Sequence, residues 1–539
     1  MKILLTYFLT FIALQLLAQN PQQVCGHQLY HPQTSATDFH PCGTQSFKSD
    51  WLKEYQRNPA AYSHGRAPSA TTYLPVSLHI VGDDDSTGYG RLNSVLAAFC
   101  QVNEDYSNTG LQFFIEFPIH YIPNSDFNDH DSVHIGGGYM LQYNVPNTSN
   151  VYFVRDPAGN CGYNLPYAGM TVSYSCLTGN TFSHELGHAL SIMHPFLGWE
   201  GGQSYNAGPQ TSFSGPAPKE VYYNYTYFKD TMWLDTLIVD TTEVEYVTRT
   251  GSKANCQTAA DGFCDTPADY LAFRWACNSN GQSGTRQIDP DTVGFYSDGA
   301  NIMSYSTCLT DFTPDQAAAM NAFVSTNRQS HLYNQNPIRD TIDINNLMTL
   351  EPADASTIAQ TSNVVFRWNK VPGATHYSLK VCAAPCSTPN LTYEEVLVTD
   401  TFYVSNMTYN PRPSFLPYRW QIKPINQGNT CANISSYRTF NTAFPTAVAT
   451  LQTLQTFELH PNPVASHQDI QLEATATQAT TATVQIVALT GQVLRSQVWQ
   501  LQTGHNTNSL STKDLAAGVY VVYLEEGNRK LIKKLVIAD

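Results

Sequence analysis

Charged residues are scarce in this chain, and basic residues are the scarcer kind. Asp, Glu, Lys and Arg make up 13% of the 539 residues, and 28 basic residues stand against 43 acidic ones, for a formal net charge of −15. A nucleic-acid-binding protein carries a basic face, so this balance argues against a nucleic-acid partner. An acidic extracellular protein could bind calcium, but acidity alone does not establish such a site.

Long apolar runs are absent after the first eighteen residues. At the start of the chain, one early lysine precedes an apolar stretch that ends in the small residue Ala18. This pattern predicts a secretory signal peptide over residues 1–18, cleaved near Ala18. The alternative, a retained membrane helix, would need a longer apolar span. We therefore expect a mature chain without a transmembrane segment, either soluble or attached at the cell surface.

No cysteine precedes Cys25, so all twelve follow the predicted signal peptide. This placement is typical of a protein of an oxidising compartment, in which disulfides form. Nine cysteines lie before residue 310 and three lie beyond it. Because both counts are odd, we expect either a free thiol or a bridge that joins two domains. The sequence does not determine the pairing.

One stretch of the chain carries a metal-ligand pattern. His184 and His188 are four residues apart and therefore share one face of a helix, with Glu185 beside the first. Two imidazoles so placed can hold zinc, and the carboxylate can reach a water on that metal. His194 can join them only if the helix ends near Ser191 and the chain turns back. Three protein ligands and one open position are typical of catalytic zinc, whereas the alternative is three ordinary histidines of a buried helix.

Patterns around this motif indicate alternating strands and helices. Alternation of apolar and polar residues predicts strands at 73–81, 111–117, 151–154 and 169–174, and helical spacing covers 92–106. A helix with proline in its first turn starts near Asp311, and it should close the domain by about residue 335. We predict an α/β (α+β) domain over residues 71–335 with the metal beside a sheet edge, where an extended peptide can add as a strand. The aromatic and acidic insertion at 195–255 either forms a wall of this cleft or packs on it.

Residues 19–70 lie between the signal peptide and this domain, and they are polar with little periodicity. A short helix-like piece at 50–55 is the exception. Their position predicts a pro-segment. Cys42 within it could occupy the fourth position on zinc as a thiolate and hold an enzyme latent. The alternative is a disulfide between Cys42 and Cys25.

The metal-ligand motifs stop before residue 345, and strand patterns follow. Short alternating strands at 363–369, 375–381 and 417–424, separated by turn residues, predict a β-sandwich over residues 345–445. A linker rich in Thr, Ala and Gln precedes a small antiparallel β domain with a basic end, residues 455–539. The predicted fold is therefore multidomain, with an α/β domain followed by two all-β sandwich domains.

Three motifs, in this order, resemble the pappalysin-like (M43) family of metzincin zinc endopeptidases over roughly residues 70–330. They are the histidine pattern of 184–194, the Cys-Asp-Thr-Pro block of 264–267 and the Asn-Ile-Met-Ser-Tyr run of 301–305. The resemblance implies a metzincin-like catalytic domain, with Met303 in a turn beneath the zinc and Tyr305 stabilising the transition state. Ordinary burial of either side chain is the plain alternative. The resemblance also implies calcium near Asp261 or Asp265, whose carboxylates could equally cap a helix or loop.

The chain departs from the family pattern at two places. Ser191 stands where the metzincin motif usually has glycine, so a residue with a side chain must take a positive φ at the helix exit. Such strain, on the order of 1–3 kcal/mol, is tolerable when neighbours fix the residue, so His194 stays a predicted ligand. Ser306 and Thr307 are neutral where arginine-preferring members have acidic residues, so the resemblance does not imply an arginine preference.

Two further resemblances concern the C-terminal half. Trp368, Tyr377 and Tyr418 make residues 345–445 similar to a fibronectin type III module, which could serve as a spacer, bind substrate or support folding. The order of short motifs from Leu459 to Val536 resembles the C-terminal sorting domain of the type IX secretion system. This implies export across a bacterial outer membrane by that machinery, with the tail removed or exchanged for a surface anchor. The alternative is another adhesive β-sandwich.

We therefore expect a secreted zinc endopeptidase that is made as an inactive precursor and acts on proteins or peptides. Zinc would lower the pKa of its bound water and polarise the scissile carbonyl. Glu185 would act as general base and then as acid, and Tyr305 would donate a hydrogen bond to the developing oxyanion. The alternative, from another class, is a catalytically inactive surface adhesin or binding protein that retains the fold. The intact Glu185 and three histidines favour the enzyme.

Overall fold

The computed structural model describes residues 40–44, 47–62, 71–200, 205, 212–227, 236–386, 391–443, 454–488, 491–526 and 529–538. The chain is multidomain and contains more strand than helix, which confirms the prediction at that level. It divides into two compact units, described separately below: residues up to Gly90 with Gln101–Gln335, and Arg91–Cys100 with Asn336–Asp539. The predicted signal peptide and Cys25 lie outside the described residues.

The first unit is built on a sheet with strand order β2-β1-β5-β8-β7, and β3 pairs with the far end of β1. Its first four members are parallel, and β7 is antiparallel to β8 at one edge. The apolar runs of β1 and β5 are almost fully buried, as expected for parallel strands covered on both faces. The bounds are β1 Thr72–Gly82, β2 Leu111–Ile115, β3 His120–Pro123, β5 Ser149–Val154, β7 Gly162–Leu165 and β8 Gly169–Ser173.

Six α-helices occur in the described residues, and none has the length and apolarity of a membrane span. The last of them begins at the predicted proline, where Thr313 and Gln316 form a reciprocal capping box. Sequence reasoning missed α4, because three consecutive glycines interrupt its apolar pattern; Gly136 there leaves room for the Tyr163 hydroxyl. The helices are α1 Asp50–Arg57, α2 Leu92–Asp105, α3 Ser125–Asn128, α4 Val133–Tyr143, α5 Thr181–Ala189 and α6 Pro314–Asn327.

The insertion after α5 packs on the core of the first unit. Phe196, Trp199 and Val221 from the insertion are buried in one cluster with Tyr270 and Tyr305. Its strands β9 and β10 pair as an antiparallel hairpin. The smaller strands of this unit are β4 Asp129–His130, β6 Asp156–Pro157, β9 Glu220–Tyr227, β10 Thr236–Glu243, β11 Gln287–Ile288 and β12 Gly294–Phe295.

The described part of the predicted pro-segment lies on the first unit as an extended stretch, paired at one isolated bridge and followed by α1. His40 N–H donates to the Gly159 carbonyl at 2.9 Å, and the His40 carbonyl accepts from Cys161 N–H at 2.7 Å. Gly43 N–H then donates to the Gly162 carbonyl at 2.8 Å, so this stretch runs parallel to the edge strand β7. The pro-segment therefore occupies the sheet edge at which the sequence predicts substrate binding.

Disulfides are present, as the cysteine placement predicts. Of the two expected outcomes, the free thiol occurs, at the buried Cys42. The bridge with the longest sequence separation, 331 positions, joins Cys100 and Cys431, which belong to the same unit. Cys25, the alternative partner of Cys42, lies outside the described residues. The pairs are Cys161–Cys176, Cys256–Cys264 and Cys277–Cys308 in the first unit, and Cys100–Cys431 and Cys382–Cys386 in the second.

The second unit contains two β-sandwiches, each with a three-stranded and a five-stranded sheet. The sheets of the first have the orders β13-β15-β18 and β14-β20-β19-β16-β17, and they share a core around Phe366, Trp368, Tyr377 and Trp420. Its strands are β13 Thr349–Glu351, β14 Ser356–Ile358, β15 Val365–Trp368, β16 His376–Ala383, β17 Thr392–Val398, β18 Phe402–Val404, β19 Tyr418–Ile425 and β20 Arg438–Thr442.

The last sandwich has sheets of order β21-β23-β26 and β22-β28-β27-β24-β25 around its own apolar core. Strict alternation of buried and exposed residues along β23 shows one face of that strand turned inward. The strands are β21 Leu454–His460, β22 Val464–Ala465, β23 Ile470–Ala476, β24 Thr480–Val487, β25 Val493–Leu501, β26 Gly504–Leu510, β27 Gly518–Glu526 and β28 Arg529–Ala538.

Trp51 is a partly buried contact of α1, and we predict that it helps to keep the predicted pro-segment docked. Its ring stacks on Tyr55 with centroids 5.3 Å apart and meets Phe323 edge-on at 4.9 Å, while its Nε1 donates to Thr326 at 3.0 Å. Aromatic pairs contribute about 0.5–1.5 kcal/mol each beyond buried area, so Trp51→Ala should raise the rate of native-state cleavage of the pro-segment about tenfold. Timed subtilisin digestion with mass spectrometry measures this rate. Trp51→Phe, which keeps a ring, is the control, and equal rates for the two variants would contradict the anchoring role.

Candidate metal centre

The structure brings the three predicted histidine ligands together. The Nε2 atoms of His184, His188 and His194 form a triangle with sides of 3.0, 3.1 and 3.2 Å, and all three side chains are buried. Two nitrogen ligands of one tetrahedral zinc lie about 3.3 Å apart, given zinc–nitrogen bonds of about 2.0–2.1 Å. The observed triangle therefore has the size of three ligands on a single zinc ion.

The other ring nitrogen of each histidine is held by an acceptor. Nδ1 of His184 lies 2.9 Å from the Ile302 carbonyl, and Nδ1 of His188 lies 2.8 Å from the Ile192 carbonyl. A carbonyl accepts only from a protonated Nδ1, so in these two neutral rings the Nε2 lone pairs point into the triangle. Burial lowers the pKa of His184 to about 4, which keeps that ring neutral.

The third histidine is oriented by a carboxylate that the sequence analysis missed. Nδ1 of His194 lies 3.0 Å from Oε1 of Glu200, and the other oxygen of Glu200 accepts from Gly198 N–H at 2.7 Å. Such carboxylate–histidine pairs fix the ring of a metal ligand and raise its basicity. The one signal in the sequence is an acidic residue six positions after His194, which becomes informative only when the loop path is known.

The turn that returns His194 to its partners is a Schellman motif at the end of α5. Ile192 N–H donates to the Gly187 carbonyl at 3.0 Å, and Ser191 N–H donates to the His188 carbonyl at 2.9 Å. Ser191 adopts φ 70°, as its position at the helix exit predicts. Its hydroxyl lies 2.8 Å from that of Ser49 in the pro-segment, one of the contacts that hold this strained residue in place.

Met303 lies directly beneath the helix that carries the two histidines. Its side chain is fully buried, and a Cβ added at Gly187 would come within 2.5 Å of its sulfur. Glycine at 187 therefore allows the helix to approach the turn of residues 301–305 closely. That turn also supplies the Ile302 carbonyl that orients His184, so Met303 packs against the helix that carries two of the predicted ligands.

Glu185 points into the same buried space, and a pro-segment residue holds one of its oxygens. The Thr44 hydroxyl donates to Oε2 at 2.7 Å, whereas Oε1 is buried without a hydrogen-bond partner in the described part of the chain. Burial raises the pKa of Glu185 to about 8, and the Thr44 hydrogen bond partly offsets this rise. Thr44, a further residue that sequence analysis missed, thus covers the predicted base.

Cys42 completes the group of candidate ligands. Its sulfur lies 3.6 Å from Nε2 of His188, and the four potential ligand atoms all fall within 4.8 Å of one another. A thiolate and an imidazole on one tetrahedral zinc lie about 3.6 Å apart, given a zinc–sulfur bond of about 2.3 Å. Burial, followed by the charge of Glu185, raises the pKa of the Cys42 thiol.

Tyr305 lies beside His194 and Cys42. Its hydroxyl donates to the Cys42 carbonyl at 3.4 Å, and its ring centroid lies 5.1 Å from that of His194. Burial raises the pKa of Tyr305 well above its usual value, so the phenol is a proton donor at neutral pH. The hydroxyl is thus within reach of a carbonyl oxygen held next to the histidines.

These donors fit zinc better than a hard cation. Nitrogen and sulfur ligands suit zinc and other transition metals, while calcium and magnesium prefer oxygen ligands. Buried nitrogen lone pairs that face each other at 3 Å repel one another unless a cation or a proton lies between them. His184, His188 and His194, with Cys42 as the fourth candidate, could together hold a metal ion such as zinc.

The two aspartates suggested for calcium lie in different settings. Asp261 is buried and accepts from Phe263 N–H at 3.0 Å; burial raises its pKa to about 7, partly offset by the charge of Lys48. Asp265 is exposed and accepts from Asp315 N–H at 2.7 Å in the first turn of α6, which is the capping alternative. Neither belongs to a group of three metal-ligating side chains in the described residues, and calcium stays a prediction.

Comparison with known proteins defines the C-terminal domain. Residues 458–538 match the family of secretion system C-terminal sorting domains. The prediction of a type IX sorting domain is confirmed there, and so is export across the outer membrane to the cell surface or the medium, by interaction with the secretion machinery. No curated protein matches the chain.

Two solved structures of adhesin segments show weak similarity. The D00–D0 domain of intimin aligns at 16% identity and a TM-score of 0.15, over 36% of this chain and all of that one. The BSP domain of a biofilm-associated protein aligns at 16% identity and a TM-score of 0.13, over 35% of this chain and 30% of that one. At these TM-scores neither similarity assigns a fold or a function.

A pair of substitutions at Ser191 separates backbone strain from side-chain contacts. Ser191→Gly and Ser191→Ala both lose the hydrogen bond to Ser49, but only glycine adopts φ 70° without strain. We predict that the glycine variant is the more stable by about 1 kcal/mol. Urea unfolding followed by tryptophan fluorescence measures the difference. An alanine variant as stable as the glycine variant would contradict a strained backbone at this residue.

Proposed function

We propose that this chain is a secreted zinc-dependent endopeptidase that its pro-segment keeps latent. The observation that carries the proposal is the triangle of histidine Nε2 atoms, 3.0–3.2 Å on a side, with the Glu185 carboxylate in the same buried space. The order of three motifs that resembles the pappalysin-like metzincins supports the same activity. The α/β domain over residues 71–335 would then be a metzincin-like catalytic domain.

When bound, zinc would supply a Lewis acid and a water of lowered pKa. Glu185 is the only acidic side chain assigned to the catalytic machinery, and it would accept the proton of the attacking water and pass it to the leaving amine. A carboxylate held in this buried space can take up the proton of a water molecule and later release it to the amine. Its position one residue after His184 fixes it beside the histidines.

Tyr305 would act on the substrate carbonyl. Its hydroxyl already donates to a main-chain carbonyl, that of Cys42, at 3.4 Å. A substrate carbonyl in that place would gain charge during attack, and a donor fixed in a buried site stabilises this charge at little reorganisation cost. The ring of Tyr305 lies beside those of His184 and His194, with centroids 5.9 and 5.1 Å away, so the residue adjoins the histidines.

Three contacts support latency. The Cys42 sulfur lies at the distance from His188 expected for a shared zinc ion, and Thr44 donates to the base Glu185. The stretch from His40 to Thr44 also runs parallel to β7, so it fills the cleft in the direction opposite to that of an antiparallel substrate. The pro-segment would thus block the metal, the base and the sheet edge together.

The alternative is a catalytically inactive surface adhesin or binding protein. The sorting domain suits it equally well, because that domain sets location and not chemistry. Activity separates the two, since a binding protein has no use for a base beside three histidines. The fibronectin-like sandwich fits either function.

Hydrolysis of quenched peptides by the full chain tests this proposal. We expect low activity from the intact chain and activity at least tenfold higher after limited proteolysis of the pro-segment or in Cys42→Ala. Chelation with 1,10-phenanthroline should abolish hydrolysis, and added zinc should restore it. In the activated chain, Glu185→Ala should reduce kcat by a factor of about 10³ or more with little change in zinc content.

Casein serves as a second substrate, and Glu104→Ala, an exposed acid outside the site, is the matched control for Glu185→Ala. Hydrolysis at the wild-type rate by Glu185→Ala would exclude the assigned base. A chain that takes up zinc and loses its pro-segment but hydrolyses nothing would instead favour the binding protein.

Glu200 gives a prediction on metal affinity that does not depend on turnover. Because its carboxylate orients and polarises His194, Glu200→Gln should weaken zinc binding by about 10–100-fold. The dissociation constant for zinc is measured by competition with a fluorescent chelator. All chains in this experiment carry Cys42→Ala, so that only the three histidines remain as ligands. Glu220→Gln, an exposed acid of β9, is the control, and an unchanged constant in Glu200→Gln would contradict the orienting role.

A further inference from the structure

A small cavity adjoins the metal centre on the side of Tyr305. Its volume is about 220 Å³, and both His184 and Tyr305 line it. Pro41, the neighbour of Cys42 in the pro-segment, lines it as well. Since Cys42 lies at the histidines, a chain bound in this cleft places the residue next to the metal position in this cavity.

The cavity carries a positive charge from Arg274. The N–H of the following residue, Trp275, donates to the Tyr305 carbonyl at 3.2 Å, which fixes the backbone of Arg274 beside the cavity. Arg274 is exposed, and within the described residues its side chain makes a contact from Nη2 to the sulfur of Cys161 at 3.3 Å. In the described part of the chain, Arg274 forms no ion pair, and no acidic residue lines the cavity.

The remaining lining adds to this polarity. Asn180 and Thr181, at the N-terminal end of α5, line the cavity, and the Asn180 side chain does not cap the helix. The positive end of the helix dipole therefore faces the same space. Asp105 accepts hydrogen bonds from Asn180 and Ser183, but it does not line the cavity. The neutral residues Ser306 and Thr307 also line the cavity.

From this geometry, and resting on the proposed peptidase function, we propose that Arg274 selects substrates with a glutamate or aspartate beside the scissile bond. A carboxylate in the cavity would form a charge-assisted hydrogen bond with the guanidinium next to Tyr305. An antiparallel substrate, the more stable pairing with β7, runs opposite to the pro-segment. The selected residue is then the first on the carboxyl side of the scissile bond.

Peptides that differ only at this residue test the proposal on the full chain activated by limited proteolysis. We expect kcat/KM for the glutamate peptide to exceed that for the isosteric glutamine peptide about tenfold, in line with one hydrogen bond to a charged group. Arg274→Ala should remove this difference while changing the glutamine peptide by less than about threefold. Arg274→Glu should favour lysine instead, and high salt should reduce the preference of the wild type.

Arg286→Ala is the matched control, because Arg286 is an exposed arginine of the same unit that does not line the cavity. Binding provides a readout without turnover: the activated Glu185→Ala chain should bind the glutamate peptide about tenfold more tightly than the glutamine peptide in fluorescence anisotropy. Hydrolysis without a glutamate preference, or a preference that survives Arg274→Ala, would overturn the role of Arg274 and leave the peptidase intact. If the activated chain neither hydrolyses nor binds any peptide, both proposals are overturned.

Discussion

The organisation of the first unit depends on three buried imidazole nitrogens that point at one another from 3.0–3.2 Å. Uncharged rings in this arrangement repel unless a cation lies between them, and acceptors at Nδ1 leave the lone pairs no other direction. Several features become intelligible as consequences: the strained Ser191 that turns the chain back, the glycine at 187 that admits Met303, and the carboxylate of Glu200. Each of them positions a ligand or supports one.

Much of the site follows from local spacing, and the rest depends on chain path. The interval between His184 and His188 determines a shared helical face, and the helix end near Ser191 follows from the need to bring in His194. Glu200 reaches the site on a loop, and Thr44 reaches it on the pro-segment. Neither segment has a regular sequence pattern from which its path could be predicted. The same limit applies to the fold: regular strands were predictable, whereas α4, with its run of glycines, and the disulfide pairing were not.

In the proposed function, the two ends of the chain would serve one need, which is that a hydrolase leaves a cell without acting inside it. The sorting domain at 458–538 directs the chain across the outer membrane. In the proposed function, the pro-segment meanwhile fills the cleft. The Cys42 sulfur lies at the histidines, the Thr44 hydroxyl binds the base, and the backbone of the segment runs along β7. Because these contacts lie within a short stretch from His40 to Thr44, removal of one segment would expose the metal, the base and the sheet edge at once.

The most direct test of this account is zinc K-edge X-ray absorption on the intact, latent full chain. The account predicts one zinc ion per chain, with three nitrogen ligands at about 2.0–2.1 Å and one sulfur at about 2.3 Å, and loss of the sulfur shell in Cys42→Ala. A chain purified with zinc available that binds none, or a zinc ion without histidine ligation, would contradict the central claim. A zinc ion with three nitrogen ligands and no sulfur ligand would confirm the metal centre and exclude Cys42 as a ligand.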